Sequence, residues 1–402
     1  MNITIAESLK PFCHTPGASC IVPFSAWKIT VFPSRLNCEN LIDGSSHEFT
    51  FSLQGPVKEF TVQQELEEGS VKVFGVAIDG YFRYCLKMED NILQLWFEKV
   101  PASGVALSTG CTSAQIQIGE KIKIGEKSSS VENSLEKLSL GQHKAQDWSA
   151  MRKRGDLSEI FPHWLRLGQI IPKVEESSSK QGMLQLLQNC ERAAISDKMQ
   201  VKDAFTKLFL AGFSSMLMPR LIDEEHQGIV PAVGLDHKVS AMELLAKGSS
   251  LIRSLFFQEK EGVYHLLPCL PPDFHSGRMI RIKTLKGDLI DLEWSKKTLR
   301  KAVIHIGSST EITLSLQKHI ESFRVRKSLS SRGVVCKPGD KITCAPGNLL
   351  YFDRFQKKLF LHFPFLCNSV YKEHTRRGLG YDKSFLRADD CKCVACKFAR
   401  SS

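Results

Sequence analysis

Val71-Lys72-Val73-Phe74-Gly75-Val76, Asp79-Gly80 and Tyr81-Phe82-Arg83-Tyr84-Cys85-Leu86 read in order as a strand, a two-residue turn and a returning strand. Asp-Gly accepts the positive φ angles of a tight hairpin turn, so the two runs are expected to pair antiparallel. The pattern continues on both sides. Phe49-Thr50-Phe51-Ser52-Leu53 alternates apolar with polar, and residues 24–32, 60–62 and 92–100 add further β-forming runs. Short strands separated by turn signals predict an antiparallel sandwich.

Beyond residue 120 the spacing changes. Residues 121–130 are rich in Lys, Gly and Ser and read as an exposed connection. Apolar residues at helical intervals then predict helices over 135–148, 157–167, 183–193, 204–216 and 239–257. Asp156 and Asp203 are placed to act as N-caps, and Pro162 is expected to kink or restart its helix. Strand patterns return after Gly262, at 278–282, 289–294, 301–306, 311–316 and 323–325, followed by an apolar run at 359–365. The expected fold class is therefore α+β and multidomain. It comprises an N-terminal antiparallel β-sandwich (1–120), a shortened all-helical middle domain (131–260), a C-terminal antiparallel β-domain (261–366) and a basic Cys-rich tail (367–402).

Composition narrows the function classes. The 402 residues are 42% hydrophobic, enough for a sizeable core, which excludes disorder as the main state. Lys and Arg total 54 against 43 Asp and Glu, a net charge of +11, weak for a dedicated nucleic-acid binder. No apolar run is long enough for a membrane-spanning helix. Met1-Asn2-Ile3-Thr4-Ile5-Ala6-Glu7 lacks the basic-then-apolar order of a secretory signal. The 13 cysteines are mostly scattered and read as reduced, buried thiols, so a cytoplasmic location is expected. Phosphate-loop, dinucleotide-binding and nucleophile-elbow motifs do not occur, which disfavours kinase, P-loop and Rossmann functions.

Glu261-Gly262-Val263-Tyr264-His265-Leu266-Leu267-Pro268-Cys269-Leu270-Pro271-Pro272 is followed by Ser276-Gly277. Lys283-Thr284-Leu285-Lys286-Gly287-Asp288-Leu289-Ile290-Asp291-Leu292-Glu293-Trp294 and then Leu299-Arg300-Lys301-Ala302-Val303-Ile304 come next. Three prolines stiffen a loop that delivers a helix into a strand meander with a buried Trp294. Over about residues 250–306 this stretch resembles the passage from the (α/α)6 barrel to the C-terminal β-domain in family-95 α-L-fucosidases. Those glycoside hydrolases carry a similar Leu-Leu-Pro phrase, Ser-Gly, a Gly-containing turn and Asp-Leu-Glu-Trp. The resemblance implies an N-terminal β-sandwich and an inverting mechanism with acid and base on opposite sides of the sugar.

The middle of this chain has room for about five or six helices rather than a complete ring. A glycoside-hydrolase-like protein with a reduced helical domain is therefore expected, non-catalytic and binding carbohydrate or a protein partner. Two alternatives stand beside it: an active glycosidase completed by dimerisation or by another carboxylate pair, and an interaction protein with a zinc-binding basic tail. The family's acidic residue before the Leu-Leu-Pro phrase falls, by ungapped counting, on Glu243, in a context that reads as an exposed helix residue. Asp236 is the nearest acid in a loop.

Other residues carry candidate chemistry. His143, Trp148, His163 and Trp164 gather rings beside polar groups, which suits the C–H face and hydroxyls of a sugar and equally suits core anchoring. Asp223-Glu224-Glu225-His226 lacks a second His at helical spacing and reads as a solvated turn. Cys391, Cys393 and Cys396 could converge on one zinc ion, with His374 or Cys367 as fourth ligand. Their spacing is similar to that of the zinc site of tRNA-guanine transglycosylases.

Overall fold

The hairpin at 71–86 pairs as expected, with Ser70–Ala77 antiparallel to Gly80–Glu89 and Ala77 opposite Gly80. Its turn residues are Ile78 and Asp79, one position earlier than the Asp-Gly signal suggested. The structure, a computed structural model, describes residues 2–110, 112–141, 144–174, 182–222 and 240–358. These belong to one compact unit, Met1–Lys358; Leu359–Ser402 is a separate unit outside the described residues.

The chain is α+β, mostly antiparallel β-sheet with five helices among the described residues. One N-terminal sheet runs Phe12–Cys13, Lys58–Glu65, Ser70–Ala77, Gly80–Glu89, Ile92–Lys99, Ile122–Ile124 in spatial order. The other runs Thr112–Ile116, Val105–Thr109, Ser46–Phe51, Arg35–Asn40, Trp27–Phe32, Ala18–Ile21. Alternating side chains of each sheet point inward, as the burial of every second residue in Trp27–Phe32 records. Phe51 of one sheet meets Tyr84 and Phe97 of the other at ring-centroid distances of 5.2 and 5.3 Å.

A seven-stranded antiparallel sheet follows the helices: Lys137–Ser139, Gly277–Lys283, Leu289–Ser295, Thr298–His305, Leu349–Lys357, Ile320–Arg326 and Val334–Cys336. Beside it lies a four-stranded sheet of Phe257–Lys260, Val263–Leu266, Glu311–Ser315 and Lys341–Thr343. Within that sheet Val263–Leu266 and Glu311–Ser315 run parallel.

The first edge strand of the larger sheet corrects the sequence reading. The described residues of 135–147 form no helix. Lys137–Ser139 is a strand paired with Gly277–Lys283, with Leu138 opposite Met279. Glu136, Leu138 and Leu140 are buried while their neighbours are more open, a period of two that the helical reading overlooked.

Helix α1 (Trp148–Arg154) starts only after Asp147, whose side chain caps it. Helix α2 (Leu157–Gln169) begins at the expected cap, Asp156, and continues through Pro162. Only the Ser158 carbonyl loses its helical donor there, so the helix is not interrupted. Helix α3 spans Met183–Ser196 and α4 spans Val201–Gly212. Asp203 lies inside the first turn of α4 rather than at its cap, paired with Lys207 at 2.8 Å.

Helix α5 (Met242–Phe256) packs closely on α2. A Cβ at Gly168 would lie 2.4 Å from the Ser249 Cβ, and one at Gly248 would lie 2.4 Å from the Trp164 ring. Glycine at both positions lets the backbones approach. The Trp164 Nε1–H donates to the Leu245 carbonyl at 3.2 Å, and the Ser249 hydroxyl donates to the Leu165 carbonyl at 2.9 Å. Buried apolar side chains from Leu9 to Phe352 form one continuous cluster through sandwich, helices and seven-stranded sheet.

Gly248→Val should destabilise the protein by about 1–3 kcal/mol, because the added side chain overpacks Trp164. Urea denaturation measures the loss; an unchanged midpoint would mean that the α2–α5 approach is not tight.

Candidate functional site

The local fold places the aromatic candidates first. Asp147 and Asp156 set the start of α1 and α2, which brings Trp148 and His163 together at 6.1 Å in an edge-on arrangement. Trp148 also meets Phe209, and Trp164 is wholly buried between Phe205 and Phe213. These rings face other core rings. The nearest cavity, beside Gln146, Glu159 and His163, has a volume of about 20 Å³, room for a single water molecule.

His163 is 4% exposed. Its Nδ1 lies 2.8 Å from the Glu159 carbonyl oxygen and its Nε2 lies 3.0 Å from Gln146 Oε1. Burial disfavours the imidazolium and outweighs the attraction of Glu159 and its carbonyl, pulling the pKa down to about 4. Glu159 itself is clamped by Arg154 and by Lys144, the latter at 2.9 Å.

Glu243 is the second correction. It is 1% exposed, not a solvated helix residue, and its carboxylate accepts from Lys247 Nζ at 2.6 Å one turn along α5. Asp236 and His143 lie outside the described residues, as do Asp223–His226 and all five tail candidates, Cys391, Cys393, Cys396, His374 and Cys367. Among the described residues no cluster of three His, Cys, Asp or Glu side chains could hold a metal ion. Eight free cysteines are described, and six of them are buried. Burial raises the Cys38 thiol pKa to about 12.

The Ser276-Gly277 and Glu293-Trp294 phrases of the sequence acquire a packing explanation. Gly277 sits opposite Trp294 in the strand register. A Cβ at Gly277 would approach the Trp294 ring to 2.3 Å, while the indole N–H donates to the Phe274 carbonyl at 3.2 Å. Ser276, Gly277, Glu293 and Trp294 border a cleft of about 500 Å³. Glu293 is shared there between Arg278 at 3.4 Å and Lys301 at 3.6 Å.

A larger groove of about 950 Å³ opens where the connection after the sandwich, the end of α2, helix α5 and the Gly277–Ser295 hairpin meet. Its central group is Glu136, buried at 5% exposure. The carboxylate accepts from Arg253 Nε at 2.8 Å, Gln169 Nε2 at 2.6 Å and the Lys283 backbone N–H at 3.1 Å. One carboxylate thus joins three separate elements.

Arg166, also buried, fastens the same connection to the sandwich. It donates to the Leu66 carbonyl at 3.2 Å and to the Ser134 carbonyl. Glu132, the other acid in the groove, pairs with Lys283 at 2.8 Å. The groove's remaining cations are Lys173, whose charge acts on Glu132, and Arg281, whose charge acts on Asp291. Arg281 stands at a register shift with φ of 57°, held by its backbone N–H donating to Asp291 at 2.7 Å. A bulge of this kind redirects the side chain out of the sheet pattern.

The sequence reading did not single out Glu136, Arg253, Lys173 or Arg281. A lone acid in a segment taken as helix carries no motif, and its partners lie far away along the chain. No protein-family model matches this chain, and no curated protein matches it.

Glu136→Ala should cost about 3 kcal/mol, near the lower end for breaking a buried pair, because Arg253 remains 27% exposed. Adding Arg253→Met should recover part of that loss, read by urea denaturation of the two variants. Additive losses would show that the two groups are not coupled.

A neutral buried His163 binds fewer protons than the unfolded chain between its ordinary pKa of 6.5 and its native value of about 4. Its contribution is therefore complete above pH 6.5 and falls by up to about 3 kcal/mol as pH drops to 4. His163→Gln should flatten stability across that window; an unchanged slope would assign the acid sensitivity to other groups.

Proposed function

We propose that the chain is a glycoside-hydrolase-like protein whose reduced helical domain binds carbohydrate or a protein partner without cleaving a bond. The proposal includes the family-95 resemblance and a cytoplasmic location. It also includes the division into an N-terminal sandwich, a shortened helical domain and a C-terminal β-domain. Its main support is the state of Glu136. Inversion requires a free general base and a proton-bearing acid, with the carboxyl groups about 6.5–9.5 Å apart. Glu136 is instead surrounded by an arginine, an amide and a backbone N–H. A carboxylate so occupied ties three elements together and does not stand as a free general base.

Zinc at Cys391, Cys393 and Cys396 remains a separate proposal, resting on their spacing and read out by metal content. The active-glycosidase alternative would need a pair formed by dimerisation or by acids such as Asp236.

Purified protein should release no product from a panel of aryl glycosides, α-L-fucoside included, while retaining a ligand on a glycan array or in a partner-binding assay. Turnover abolished by Asp236→Asn would overturn the non-catalytic reading in favour of that alternative.

A further inference from the structure

We infer that one end of the seven-stranded sheet is a peripheral contact for an anionic lipid surface, made by Lys296, Lys297, Lys318, Lys357 and Lys358. This goes beyond the reading above and does not depend on carbohydrate or partner binding.

Three connections bring the five lysines together. Lys296 and Lys297 form the turn between Leu289–Ser295 and Thr298–His305, Lys318 precedes Ile320–Arg326, and Lys357 ends Leu349–Lys357 with Lys358 after it. Gln317 ties the first two connections. Its Nε2 donates to the Lys297 carbonyl at 2.9 Å, and its Oε1 accepts from the Leu299 backbone N–H at 3.1 Å. The Lys358 backbone N–H donates to the His319 carbonyl at 2.9 Å, which fixes the third beside the second. The turn adds a separate observation. Ser295 pairs with Thr298, and Lys296 and Lys297 stand at φ of 50° and 60°. A two-residue turn with both φ positive favours Asn-Gly, and a longer side chain at either position is strained. Backbone preference therefore does not account for two lysines there; the turn instead carries two ammonium groups to its tip.

All five lysines are exposed, and none makes an ion pair among the described residues. Of the neighbouring acids, Glu293 is shared by Arg278 and Lys301, and Asp273 pairs with Lys202 at 3.1 Å. Glu321, also exposed, pairs with none of the five. Burial, and after it the charge of Lys357, hold the His319 imidazole below its ordinary pKa, so near neutrality the lysines supply the charge. Residues 359–402, which follow directly in the sequence, carry eight Lys and Arg against four Asp and Glu, so by composition they do not offset it.

The surroundings distinguish a lipid surface from a nucleic acid. Among the described residues the exposed large apolar and aromatic side chains lie on other segments, so a nucleic-acid strand meets no ring on which to stack a base. The five lysines line neither the cleft of about 500 Å³ nor the groove of about 950 Å³. Point charges at exposed tips match a plane of many mobile anionic headgroups, which requires no recess. The anionic leaflet faces the cytoplasm, the location proposed above.

Co-sedimentation of the full chain with phosphatidylcholine vesicles containing about 30% phosphatidylserine tests the inference. The protein should sediment with them, but not with phosphatidylcholine alone or at high salt. Lys296→Asn/Lys297→Gly suits the turn, so the melting temperature should stay level or rise while binding weakens about 25-fold, about fivefold per lysine. Lys318→Gln should weaken it about fivefold. Lys58→Gln/Lys123→Gln, an equal loss of charge on the sandwich, should bind as the unaltered chain does. Absence of sedimentation, equal sedimentation with neutral vesicles, or equal behaviour of the two double variants would overturn the inference. A single-stranded oligonucleotide retained through the five lysines, with no vesicle bound, would also overturn it and assign this end to nucleic acid.

Discussion

The Glu136 carboxylate is the constraint on which the arrangement of the helices and the seven-stranded sheet depends. It is out of water, so each of its lone pairs needs a donor from the protein. Those donors come from α2, α5 and the first strand of the hairpin. Satisfying the charge therefore sets the distances between three elements at once. Arg166 performs the complementary task on the other side of the same connection, where its buried guanidinium meets backbone carbonyls of the sandwich and of the connection. The segment between β-rich and helical regions is consequently not a passive linker. It holds two buried charges in register, and the groove is the space left around them.

The helices themselves are organised by shape more than by charge. Gly168 and Gly248 remove the side chains that would keep α2 and α5 apart, and the indole of Trp164 fills the space above Gly248. The same logic recurs in the sheet, where Gly277 clears the way for Trp294. This gives Ser276-Gly277 and Glu293-Trp294 a physical role in packing.

Trp148, His163 and Trp164 illustrate how a composition suited to sugar binding can serve the interior instead. The pattern of rings beside polar groups was legible, but its solvent exposure was not. Exposure depends on α4 and α5 covering the rings, and those helices lie many residues later in the chain. Glu243 went the other way. Its helical context was read correctly, and its burial was missed because the helix is covered on more sides than an amphipathic pattern shows. In its place the groove gathered Glu136, Arg253, Lys173 and Arg281, none belonging to a local motif.

By itself the sequence determined the elements governed by neighbours: the hairpin at 71–86, the cap at Asp156, the β–α–β order and the strands after Gly262. Such features follow from turn chemistry and periodicity within a few residues. Tertiary structure decided what depends on distant partners. Residues 137–139 became a strand because an edge at 277–283 was there to receive them. Glu136 became a hub because its donors converge from sites 33, 117 and 147 residues further along the chain. The physical reason is the same in both cases: a short segment with weak local preference adopts whichever backbone satisfies its hydrogen bonds and buries its apolar face.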